Sequence, residues 1–307
     1  MADFSASEAA FTGFRVVAHR PWLVLVWALL QFAFALAITS FVTLTAGPAY
    51  ERLNEIAASG QAPPVDEMSQ LMQQLAPTSL AVVAAGLVYY AIFYAAMSRA
   101  VLRPDESRFG YLRLGADELR QLGLLALLLL VAFAIYVAAF VVGVLIGGVF
   151  ALVASPEGAP ALSILMAILV GGPLLLVAAV RLSLSPAITF ASARTVSLAD
   201  SWRLTRGRFW PMIGTYLVAT ALNLVVLVCT FTIALAASAL VGGFGALGDA
   251  VRPSSGTLAD AVKPASLVYL VVLSIGEALR APVLMTPPTY IYAALTGRHP
   301  AAQGWRA

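Results

Sequence analysis

Six stretches of this chain, at about 22–46, 78–102, 121–154, 161–181, 211–246 and 266–295, are long and apolar enough to cross a bilayer. Roughly 20 apolar residues in a helix cover the ~30 Å hydrocarbon layer. The composition agrees: 61% of the 307 residues are apolar and 11% are charged, far from the balance of a water-soluble domain. The expected fold is therefore an all-α integral membrane helical bundle of six spans, one membrane domain over 1–307. The third and fifth runs exceed a single perpendicular crossing. At 1.5 Å per residue a 34-residue helix reaches ~50 Å, so these two are expected to tilt, kink or project.

Charge fixes the sidedness. The N-terminus, the 99–120 turn, the 181–210 turn and the C-terminus belong to one side by span count. With Arg280 of the sixth span counted toward it, that side holds every basic residue except Arg52, Arg252 and Lys263. By the positive-inside rule it is cytoplasmic, with both chain ends inside. Nucleic acid is excluded as the reason for the net charge of +3, because the cations cluster at span ends, where anionic lipid and topology account for them. Lys263 is the sole lysine among the 18 basic residues, a usage that fits a GC-rich bacterial genome and hence a bacterial inner membrane. No cleavable signal is expected, since the first 20 residues lack a compact apolar core with a small-residue cleavage site. They read instead as an amphipathic helix, opened by a Ser5/Glu8 capping box, with Phe11 and Phe14 on one face and Phe4 as a staple.

A unit of lead-in segment, span, turn and span recurs three times, at about 4–104, 105–190 and 195–297. The lead-ins are read as amphipathic helices on the cytoplasmic face, FRVVAHRPW (Phe14 to Trp22), LRLGADELR (Leu112 to Arg120) and WRLTRGRFW (Trp202 to Trp210). Similar glycine stretches, GGVFAL from Gly147 and GGFGAL from Gly242, close the two long runs and mark where those helices are expected to loosen. Arg99 and Arg181 each precede a proline by five residues, Pro104 and Pro186. Proline interrupts the helix there, and the arginines are expected to snorkel to headgroups. Gly143 and Gly147 form a GxxxG pair suited to close packing within the bundle or between protomers. The 47–77 segment reads as an extracytoplasmic helical hairpin lying on the membrane or on neighbouring spans, or serving as a docking surface or lid. Its stripes are Tyr50, Leu53 and Ile56 against Met68, Leu71, Met72 and Leu75, and Glu51, Glu55, Asp66 and Glu67 outnumber Arg52.

The stretch from Arg181 to Gly214, RLSLSPAITFASARTVSLADSWRLTRGRFWPMIG, carries a family likeness. An arginine ends a span, a proline follows, and a helix capped by Ser197 and Asp200 leads into Ser-Trp-Arg-Leu-Thr-Arg-Gly-Arg-Phe-Trp. It resembles bacterial and archaeal polytopic membrane proteins that include the membrane domain attached to some glycerophosphodiester phosphodiesterases and the related YciC-like proteins. The resemblance implies a membrane domain of this type. The phosphodiesterase barrel is absent from this sequence, so its activity is not implied.

The chemical inventory is thin. There are two histidines, His19 and His299, one cysteine, Cys229, and no zinc, phosphate-loop or nucleophile-elbow motif. No enzyme activity, cofactor or metal is expected. Asp117 and Glu118 read as a solvated, ion-paired face. Glu277 and Arg280, three residues apart within the sixth span, form the one candidate intramembrane site, because a charge at that depth must be paired or must face water. Gln31 and Asn223 are expected to make interhelical hydrogen bonds. The candidate headgroup contacts are Arg15, Arg20, Trp22, Arg113, Arg120, Trp202, Arg203, Arg206, Arg208 and Trp210. The leading expectation is a non-enzymatic protein that organises anionic phospholipids or partner membrane proteins, another copy of itself included. The alternative is a small-solute or proton-coupled transporter using Glu277 and Arg280.

Overall fold

The computed structural model describes residues 4–61, 63–153, 158–192, 197–245 and 262–298. Arg194, Arg252, His299, Arg306 and positions 246–247 of the second glycine stretch lie outside them. Every regular element among the described residues is helical. In chain order these are α1 (Ala6–His19), α2 (Trp22–Ser59), α3 (Val65–Leu102), a 3-10 turn (Arg108–Tyr111), α4 (Ala116–Val153), α5 (Ala159–Leu182), α6 (Ser185–Ser192), α7 (Leu198–Leu204), α8 (Phe209–Gly242) and α9 (Pro264–Leu295). Six of them, α2, α3, α4, α5, α8 and α9, have the length and apolarity to cross a membrane. Their outward faces carry large apolar side chains such as Leu29, Phe133, Leu165 and Leu224. In water so much exposed apolar surface would drive aggregation; facing lipid it is the ordinary state of a spanning helix. The chain is a multi-pass membrane protein.

The bundle is built around α9, which packs on α1, α2, α3 and α8. Its centre holds Trp27, Tyr89, Phe93, Met97, Ala278 and Ala281. The long helices also pair as consecutive hairpins, α2 with α3, α4 with α5 and α8 with α9. Small residues bring two of these pairs together. A side chain at Gly143 or Gly147 would collide with the Ala159 or Ser163 segment of α5, and one at Gly276 would collide with Thr230 of α8. The GxxxG pair therefore works inside the bundle, between α4 and α5.

Long-range hydrogen bonds gather the basic turns at one end. Arg20 donates to the carbonyl of Pro104 at 3.1 Å, Gln121 to that of Pro186 at 2.7 Å, and the Tyr290 hydroxyl to Glu8 at 2.7 Å. The chain start, both turns and the end of α9 thus share an end of the bundle, as the charge pattern requires.

Several local expectations change. The 47–77 hairpin is not separate from the spans: α2 and α3 run on as single helices through Pro48 and Pro77 to a turn at Gly60, where φ is 65°. The extension adds about 20 Å beyond each span at 1.5 Å per residue. The reason is mutual burial. Ala46 and Ala49 close on Leu71 and Leu75, with Tyr50, Leu53 and Ile56 alongside, while Met72 of the second stripe stays exposed. Arg52 ties the rim to Glu67 at 2.7 Å and to Glu55 at 2.8 Å.

The first glycine stretch does not loosen α4, which stays helical to Val153 because Gly147 is clamped against α5. The second does end its helix, with Gly243 at φ 73°. The three lead-ins differ in build. The first is a discrete helix, but its small face of Ala9, Ala10, Thr12, Gly13 and Val16 is buried, and Gly13 sits against the backbone of Pro282. The second is an extended approach followed by the first turn of α4, and the third is α7, a turn at Gly207 and the start of α8.

Candidate functional site

The Glu277–Arg280 pair forms within α9 as the spacing predicts, at 3.0 Å, with each side chain 24% exposed. Arg280 also donates through Nε to Oδ1 of Asn223 on α8 at 2.9 Å. The arginine is thus held by a carboxylate on its own helix and an amide on the next, the arrangement that lowers the cost of a charge in hydrocarbon. Tyr89 and Tyr90 of α3 lie within electrostatic reach of Glu277. Gln31 departs from expectation, because its Oε1 is buried without a hydrogen-bond partner, as is the hydroxyl of Tyr89.

The basic end holds a feature missed in the sequence. Arg99 does not snorkel; its side chain is 2% exposed and is the hub of an ionic cluster. It pairs with Glu118 at 2.8 Å and Asp117 at 3.5 Å, and it donates to the backbone carbonyl of Tyr111 at 2.5 Å. Phe190 of α6 packs its ring 5.5 Å from the guanidinium. Glu118, expected on a solvated face, is itself 7% exposed. The correction has a simple cause. The first turn of α4 carries Asp117 and Glu118, as a helix N-terminus favours, and the turn after α3 folds back to set that helix end against Arg99.

The turn itself is unusual, with Phe109, Gly110 and Tyr111 consecutively at positive φ. Three donors hold it there: Trp27 to the carbonyl of Gly110 at 2.9 Å, Arg20 to the Tyr111 hydroxyl at 2.5 Å, and Arg99 as above.

Arg181 occupies the equivalent place at the end of α5. It donates to the carbonyl of Thr205 at 2.8 Å, and its guanidinium lies 5.5 Å from the ring of Trp202 and 5.6 Å from that of Phe209. Ser197 stands at the start of α7, but its hydroxyl does not cap the helix. It donates to the carbonyl of Ser185 and meets Thr189, tying α7 to α6. At α1 the cap is as expected, with the Ser5 hydroxyl accepting from the backbone of Glu8, while the Glu8 carboxylate is taken up by Tyr290.

The candidate headgroup residues divide into two groups. Arg20 turns into the Pro104 and Tyr111 contacts, Arg113 pairs with Glu106 at 2.9 Å, Arg120 pairs with Asp117, and Arg203 pairs with Asp200 at 2.8 Å. By contrast Arg15, Arg206 and Arg208 have no acidic partner among the described residues; Arg206 is exposed, and Arg208 reaches only the carbonyl of Leu204 at 3.3 Å. Trp22, Trp202 and Trp210 all present surface, Trp210 most at 77%. The two basic turns also differ in balance. The 99–120 turn sets five arginines against four carboxylates, whereas the 181–210 turn sets five against Asp200 alone.

Beside this second turn lies a cleft of about 590 Å³. The α4–α5 hairpin forms one wall and α8 with α9 the other, and Tyr94 of α3 lines it as well. The walls part because α5 touches α8 only sparsely. Among the described residues no group of His, Cys, Asp and Glu could hold a metal ion.

No family model matches this chain, and no curated protein or solved structure matches it either.

Proposed function

We propose that this is a non-enzymatic protein of the bacterial inner membrane, with both termini cytoplasmic, that gathers anionic phospholipids, and through them partner membrane proteins or further copies of itself, at its basic end. The 181–214 stretch resembles polytopic membrane domains, which is consistent with a multi-pass frame. What carries the reading is the charge of the 181–210 turn, where Arg181, Arg206 and Arg208 have no carboxylate partner among the described residues, beside the exposed rings of Trp202 and Trp210. Each cation near an anionic leaflet contributes about 1 kcal/mol, and tryptophan favours the same depth. The paired arginines of the 99–120 turn serve to hold the fold instead.

The test is lipid retention in the purified protein by native mass spectrometry. Arg206→Gln with Arg208→Gln is expected to strip most bound phosphatidylglycerol, while Arg113→Gln, already neutralised by Glu106, is expected to change little. Equal retention in all three proteins would sink the reading.

The transport alternative rests on Glu277. Its carboxylate is engaged by Arg280, and neither residue lines the cleft. That arrangement favours a structural clamp, for which Glu277→Gln lowers stability without abolishing the uptake of any solute.

A further inference from the structure

We infer that the cleft between the α4–α5 hairpin and α8–α9 is a binding site for one acyl chain of an anionic phospholipid, whose phosphate is held by Arg181, Arg206 and Arg208. The inference deepens the lipid reading above and rests on it, but it commits to a single seated lipid rather than a diffuse shell.

Three observations converge. The first is the chemistry of the lining. Leu125, Leu128, Val131, Leu175, Ile213 and Leu217 face the cleft, and the hydroxyl of Tyr216 is already satisfied by Ser183 at 2.6 Å. An apolar cavity of this volume within a bilayer takes hydrocarbon, because it offers water too few hydrogen-bond partners.

The second is depth. The lining residues of α5 run from 175 to 183, against a helix end at Leu182, and those of α8 run from 213 to 220, against a helix start at Phe209. The cleft therefore lies toward the basic end and reaches about 10 Å inward along α5 and about 16 Å along α8 at 1.5 Å per residue.

The third is charge complementarity at the mouth. Ile213, Tyr216, Leu217 and Thr220 form a stripe on α8 that continues one turn earlier into Phe209 and Trp210. Phe209 packs against the Arg181 guanidinium, and Arg208 immediately precedes it. Asp200 is the one acidic residue in the 181–210 turn, and it is engaged by Arg203. A zwitterionic lipid would leave this surplus uncompensated, whereas a phosphatidylglycerol-type headgroup meets it. Arg181 spans the rim from α5 to the carbonyl of Thr205, between the rings of Trp202 and Phe209, and pairs with no carboxylate among the described residues.

The experiment uses the full chain in nanodiscs containing a phosphatidylglycerol with a photoreactive diazirine midway along one acyl chain. Cross-links are expected on the 125–132 and 213–220 segments, and to fall about tenfold in the double variant Ala132→Phe with Ala178→Phe, which fills the cleft. Total phosphatidylglycerol retention is expected to persist in that variant, because the mouth arginines are intact. The single variant Ala178→Phe serves if the double variant unfolds by thermal melt.

Cross-links spread over the outward faces and indifferent to filling would overturn the cleft site while leaving the lipid reading in place. Equal labelling by the corresponding phosphatidylcholine would overturn the charge recognition. Loss of both labelling and retention in the native protein would overturn the site and the lipid reading together. Cross-linking only to a second polypeptide at those segments would assign the cleft to a partner helix and overturn the proposal.

Discussion

Arg99 shows how much a single side chain depends on its surroundings. At the end of a span it had the signature of a snorkelling residue, yet it is buried against Glu118 and a backbone carbonyl. Removing one member of such a pair strands the other. Glu118→Ala is expected to destabilise the protein by about 3 kcal/mol, with Asp117 and Glu106 remaining to compensate Arg99 in part. Replacing both partners, Arg99→Met with Glu118→Leu, is expected to cost less than Glu118→Ala alone. Denaturant unfolding in detergent measures both, and a larger loss in the double variant would contradict the hub. The proline spacing does not distinguish this arginine from Arg181, since both precede a proline by five residues. What differs is the acidic charge that follows: Glu106, Asp117 and Glu118 reach Arg99, whereas the turn after Arg181 carries only Asp200, which pairs with Arg203.

The glycines decide the geometry of the elements. Gly147 and Gly148 are adjacent, but only Gly147 faces α5, where a side chain would collide with Ser163 and Ala159. Gly148 has nothing within 4 Å. Gly147→Ala is therefore expected to cost about 2 kcal/mol through overpacking. Gly148→Ala is expected to be neutral or to stabilise by about 0.5 to 1 kcal/mol, because glycine is a poor helix residue. Thermal melts of the two variants make the comparison, and equal effects would refute the α4–α5 contact. The same logic separates the GxxxG motif, legible in sequence, from its use. Periodicity placed Gly143 and Gly147 on one face, but only packing showed that the face is turned inward.

For the whole molecule, orientation and lipid chemistry are linked. With Cys229 replaced by Ser, a cysteine at Gln61 is expected to react with an impermeant maleimide added outside intact cells, and one at Arg113 is expected to stay protected. The reverse pattern would invert the topology and take the lipid reading with it, since the basic end would no longer face the anionic leaflet. The six spans, their approximate limits and the clustering of basic turns were all legible, because hydropathy and charge act residue by residue against the same bilayer. The hairpin was legible only as two stripes. That much of these stripes is mutually buried, with α2 and α3 continuous beyond their apolar spans, depends on register between distant residues such as Ala49 and Leu75.

The sequence by itself determined that this chain is a helical membrane protein, which segments cross, which turns share a side, and that Glu277 and Arg280 form a pair. Each follows from short-range physics, the transfer of side chains into hydrocarbon and contacts three residues apart. Only the tertiary structure decided which arginines are consumed by the fold and which remain to meet a ligand. It also decided where two hairpins fail to close and leave a cleft. Those outcomes turn on pairings across many residues, Arg99 with Glu118 and Arg20 with Tyr111, and on the size of side chains meeting from separate helices, which no local pattern encodes.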